Sequence, residues 1–126
     1  GEEVGRPYWV KKANPKSIGI MDDMIKIAQD EYPNSKVTYN KHHVALGTTR
    51  QNYLWFHPRK SPHNCHFEIK VGKESIDETK AMFEELGISY TPRKEDRLAI
   101  SIQGDELKKN FDKIKALIQQ SILLYS

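Results

Sequence analysis

The sequence predicts an α+β fold: a mostly antiparallel sheet with helices packed on it, in the order α-ββββ-α-β-α. Two observations predict it. Apolar residues recur at helical spacing towards both ends of the 126-residue chain, and at a spacing of two in between, where β-branched and aromatic residues take over. The segments of period two are joined by only a few residues, which suits hairpins rather than crossovers. At 37% hydrophobic and 29% charged, a chain of this length buries enough surface to form one domain without a metal or a disulfide.

Residues 1–13 are expected to form an extended N-terminal arm whose Tyr8 and Trp9 dock on the core, and residues 14–126 a single α+β domain. Asn14 is a good N-cap and Pro15 suits the first helical position, where its missing N–H is no loss. Ile18, Met21, Ile25, Ala28 and Tyr32 follow at helical spacing, and Pro33-Asn34 ends the helix. Four strands are placed near 36–39, 42–47, 53–58 and 64–71, with turns at Asn40-Lys41, Gly47 to Asn52 and Arg59 to His63. In the last strand Cys65, Phe67, Ile69 and Val71 face one way and Asn64, His66, Glu68 and Lys70 the other. In the one before it, Leu54 and Phe56 oppose Tyr53, Trp55 and His57.

Ser75 and Glu78 have the spacing of a capping box and open a second helix through Met82, Phe83 and Leu86, with Gly87 as its C′ residue. Tyr90 to Asp96 is expected to be a loop, and Leu98, Ile100 and Ile102 the core positions of a fifth strand. Gly104 breaks that pattern. Asp105 and Glu106 then complement the dipole of one long last helix, striped by Leu107, Phe111, Ile114, Ile118, Ile122 and Tyr125.

The net charge of +3 is unevenly spread. Residues 1–31 hold 5 Lys/Arg against 6 Asp/Glu, and residues 68–126 hold 10 against 11, so each segment is −1. Between Tyr32 and Phe67 there is no acid, while Lys36, Lys41, Arg50, Arg59, Lys60 and all five histidines lie there. This segment alone carries +5, and an anionic partner meets it first. A single cysteine excludes an internal disulfide and points to a cytoplasmic setting. No apolar run approaches a membrane span of ~20 residues, and no signal-peptide pattern is present.

The string from His57 to His66 contains imidazoles and Cys65, but the paired spacing of a zinc site is absent, and Cys65 and His66 point to opposite faces of their strand. No metal or other cofactor is therefore expected. The same face argument makes Cys65 a buried apolar residue rather than a nucleophile. Glu68-Ile69-Lys70 matches the Glu-x-Lys half of a divalent-metal nuclease motif, but its second acid would have to come from Asp30 or Glu31. Gly47-Thr48-Thr49-Arg50 opens no helix and is a hairpin turn rather than a nucleotide loop.

The run Tyr39-Asn-Lys-His-His-Val-Ala-Leu-Gly, then Asn52-Tyr-Leu-Trp-Phe-His-Pro-Arg-Lys, then His66-Phe-Glu-Ile-Lys resembles a family of small uncharacterised bacterial α+β domains. The resemblance covers residues 36–125. Some members carry the label "predicted transport protein", and related modules occur beside nuclease or restriction-type domains. It implies the same α+β order and a role in nucleic-acid transactions, and it carries no catalytic residues across.

The expected function is thus that of a non-catalytic module, within a larger chain or assembly, that binds DNA or RNA through the sheet and loops of residues 36–66. Lys41, Arg50, Arg59 and Lys60 are the expected phosphate contacts, and Tyr53, Trp55, His57 and His66 the stacking and polar contacts. The alternatives are a protein–protein interaction domain, in which the aromatic face docks a partner chain, and a Mg-dependent nuclease built on Glu68 and Lys70. Clustered histidines further predict that affinity for an anion rises below about pH 6.5.

Overall fold

The computed structural model describes residues 4–61 and 63–126. Among these, five helices and six strands follow one another as α1 (Arg6–Lys12), α2 (Pro15–Glu31), β1 (Lys36–Tyr39), β2 (Val44–Gly47), β3 (Asn52–Pro58), β4 (Cys65–Lys70), a 3-10 turn (Lys73–Ser75), α3 (Ile76–Leu86), β5 (Tyr90–Lys94), β6 (Arg97–Ile102), α4 (Gly104–Lys109) and α5 (Phe111–Tyr125). All strand pairs are antiparallel, in a single sheet of order β1-β2-β3-β4-β6-β5. The fold is α+β, as the periodicity predicts.

Local chemistry explains the ends of these elements. The Asn14 side chain accepts from the Lys16 N–H at 2.8 Å, with Pro15 next to it at the start of α2. Gly87 closes α3 at φ 68°, in the left-handed region where a side chain is strained. Ser75, by contrast, makes no capping bond, because the 3-10 turn leads directly into α3; its carbonyl instead accepts from the Thr79 hydroxyl at 2.8 Å. A carboxylate cap forms further along, where Glu106 Oε1 accepts from the Gln103 N–H at 2.9 Å.

Three other expectations are corrected. The segment Arg6–Lys12 is helical rather than extended: Pro7 in its first turn presets the helical φ, and Lys11 and Lys12 suit its C-terminal end. Trp9 does dock as expected, buried, with its indole N–H donating to the Asn40 carbonyl at 2.9 Å. Residues 1–3 of the expected arm lie outside the described residues, as does Pro62 of the loop after β3. The long last helix is two helices, hinged at Asn110 (φ −113°, ψ 26°). Tyr90–Lys94 is an edge strand paired with β6 rather than a loop.

Buried apolar residues of all five helices, among them Trp9, Met21, Met24, Phe83, Leu107 and Ile118, join one core with Leu54, Phe56, Phe67, Ile69, Leu98 and Ile100 of the sheet. The alternate sheet residues, Trp55, His57, His66, Glu68, Ala99 and Ser101, are outside this core and half-buried. The helices therefore form one layer on one side of the sheet, and the opposite face is open.

Candidate nucleic-acid interface

The open face is assembled by register. His57 of β3 is opposite His66 of β4, which is opposite Ser101 of β6. One step along the strands, Trp55 is opposite Glu68, and Glu68 is opposite Ala99. Ala99 and Ser101 of β6 have short side chains, so the face dips beside β4 into a cleft of about 410 Å³, lined by His57, Arg59, His66, Glu68, Arg93 and Ser101 among others.

Two β-bulges re-aim side chains around this face. Leu46 pairs with Leu54 but Gly47 with Asn52, so Tyr53 is an extra residue in β3. Its side chain turns with Leu54 into the core and is fully buried. Burial raises the phenol's pKa, and its hydroxyl has no hydrogen-bond partner. On the edge strand β5, Pro92 pairs with Leu98 and Lys94 with Arg97, leaving Arg93 as the extra residue. Its Nε lies 3.3 Å from Glu68 Oε1, two strands away. From β6, the Arg97 guanidinium reaches past β4 to stack 4.5 Å from the centre of the Trp55 ring.

The imidazoles form the basic end of the face. His43 and His57 meet edge to face at 6.1 Å. Burial lowers the pKa of His57 below the ordinary imidazole value, with the charges of His43 and Arg59 adding to it, against a hydrogen bond to the His42 backbone and the charge of Glu68. Burial likewise lowers that of His66, reinforced by Arg59 and His57. Both shifts favour the neutral form of the ring. His66 Nε2 is buried without a partner, a situation that costs on the order of 1–3 kcal/mol unless a partner is gained.

The expected site residues divide between the faces and ends of the sheet. Trp55, His57 and His66 share the open face, whereas Tyr53 does not and cannot stack on a ligand. Lys41 in the β1–β2 turn and Arg59 and Lys60 after β3 are exposed at one end of the sheet. Arg50, in the β2–β3 turn, is exposed at the other end, separated from them by the length of β3, roughly 20 Å. Arg93 and Arg97 belong to the face as well. Both lie outside the acid-free segment, so its charge pattern does not point to them; alternation with Leu98 marks Arg97, whereas only the bulge brings Arg93 to this face.

Cys65 faces the core, and burial pushes its thiol up to about 12, consistent with a protected residue. Glu68 and Lys70 are on the open face, while Asp30 and Glu31 end α2 on the helical side, paired with Lys26 and Lys115. The structure does not bring the nuclease carboxylates together. Among the described residues no three His, Cys, Asp or Glu side chains converge as a metal site, and no helix is long and apolar enough to cross a membrane.

Comparison with protein-family models, with curated proteins and with solved structures returned no match. The functional reading therefore rests on the open face itself.

Proposed function

We propose that this chain is a non-catalytic binding module for single-stranded nucleic acid, acting through the open sheet face and the basic loops at its His43 end. The observation that carries the reading is the one-sided packing of the helices, which leaves Trp55, His57 and His66 half-buried on an uncovered sheet face beside Arg59, Arg93 and Arg97. Unpaired bases stack on aromatic rings and guanidinium planes, while cations follow the phosphates. A duplex is the poorer fit, because its major groove admits a helix or a two-stranded ribbon rather than the broad face of a sheet. Lys41, Arg59 and Lys60 supply the phosphate contacts at one end, and Arg50 meets only a strand long enough to run the length of β3. A cytoplasmic setting and kinship with the bacterial domains that residues 36–125 resemble are parts of the same proposal.

Anisotropy titration of labelled single-stranded and duplex DNA and RNA, at about 50 mM and about 200 mM salt, tests this. The expected result is salt-steep binding of a single strand, with duplex weaker. Trp and Arg are also the residues that anchor protein interfaces, so the Trp55–Arg97 stack supports a second reading as a protein-docking face. Failure of every nucleic acid to bind at the lower salt would transfer the face to that role.

A further inference from the structure

The cleft beside β4 differs chemically from the rest of the open face. It holds a carboxylate, Glu68, which is part of the cleft lining and whose Oε1 lies 3.3 Å from the Arg93 Nε. Around it are the hydroxyls of Ser89 and Ser101, the ring of His66 and the guanidinium of Arg59. A phosphate monoester is badly served here, since it would sit against the carboxylate. A neutral heterocycle with donors on one edge and acceptors on another is well served, and about 410 Å³ is in the range of a small-ligand site.

Resting on the nucleic-acid reading above, we infer that the cleft receives one base turned out of a single strand, guanine by preference, with Glu68 reading its pairing edge and Arg59 holding the adjoining phosphate. Guanine alone among the common bases presents two adjacent N–H donors on that edge, the pattern a carboxylate accepts in parallel. Its carbonyl and ring nitrogen then face donors from Ser89, Ser101 or Arg93. Adenine, cytosine and uracil each place an acceptor next to their donor, which would point a lone pair at the carboxylate.

Two readouts test the inference. Ring signals of His57 and His66 are followed by NMR while GMP, IMP, AMP, CMP and UMP are added singly, and anisotropy compares a single-stranded RNA containing one guanine with the same strand carrying inosine, which lacks the amino donor. GMP is expected to move both histidines more than the other nucleotides do, and the inosine strand to bind several-fold more weakly, on the order of 5- to 10-fold for one bond of a bidentate pair. Glu68→Gln should erase that difference while leaving salt-steep binding in place. Ala99→Leu, which fills the cleft, should do the same and serves if Glu68→Gln melts early. Strands that bind equally with guanine or inosine, with no nucleotide moving the histidines, would overturn the cleft assignment and leave the strand-binding face standing. Shifts with GMP alone, and no strand bound, would keep the cleft as a site for a free nucleotide and overturn the strand-binding reading.

Discussion

Tyr53 carries the sharpest consequence of a single inserted residue. By alternation it belongs with Trp55 and His57, and only the bulge opposite Leu46 and Gly47 turns it into the core. Its hydroxyl is buried and unpartnered, so Tyr53→Phe should raise stability by about 1 kcal/mol in urea melts and leave nucleic-acid affinity unchanged, since removing an unsatisfied buried group relieves its desolvation cost. Weakened binding by this variant would return Tyr53 to the interface. His57 and His66 were legible as a facing pair, because two antiparallel strands of known alternation put them together; their burial was not, because it depends on Arg59, His43 and the sheet around them. Both have folded-state pKa values lowered from the ordinary 6.5, so the unfolded chain takes up protons first as the pH falls. Stability contributed by these rings is present above about pH 6.5 and declines below it. The melting temperature should therefore drop between about pH 7 and about pH 5.5, with a shallower slope in the His57→Gln/His66→Gln variant. An identical slope in both proteins would contradict the burial argument. The same lowering moves the gain of positive charge at these two sites to lower pH than an ordinary imidazole would give.

At the scale of elements, the β2–β3 hairpin depends on Gly47. A Cβ there would lie 2.5 Å from Asn52 Oδ1 and 2.6 Å from the Gln51 carbonyl, closer than atoms approach without the turn shifting. Gly47→Ala should cost on the order of 1–3 kcal/mol, read as a lowered melting temperature, and an unshifted melt would mean the turn has room that its geometry denies. The strands β1 to β4 were legible to within two residues at their ends, since each has apolar residues at a spacing of two and is bounded by Gly, Asn or Pro. Strand β5 was hidden because Pro92, Arg93 and Lys94 are loop formers by composition. They are tolerated at an edge, where a proline gives up no needed bond and charge discourages pairing with another chain. The division of the last helix was hidden for the opposite reason: its apolar stripe runs on through Asn110, and only the side-chain amide, donating to the Glu106 carbonyl at 3.0 Å, marks the break.

For the molecule as a whole, the α+β class followed from periodicity, but the placing of every helix on one side of the sheet did not. A strand pattern with one apolar face fits an open sheet or a lightly covered one equally well; the outcome depends on which helical stripes meet which sheet face. The acid-free segment marked the basic region correctly in sequence, yet folding separates its cations, with Lys41, Arg59 and Lys60 at one end and Arg50 at the other. Arg59→Ala/Lys60→Ala should therefore lower the dependence of log K on log salt by about 0.7 per cation removed, and Arg50→Ala should have a smaller effect on a short strand. Equal effects would place the strand along the full length of β3. The most direct test of the central claim is to map backbone and side-chain NMR shifts on adding a short single strand at low salt. The account predicts that perturbations gather on the Trp55 indole, the His57 and His66 rings and the Arg59 loop, with the buried Ile118 of α5 as an unmoved control. Shifts confined to the helical layer, or none at all, would contradict it.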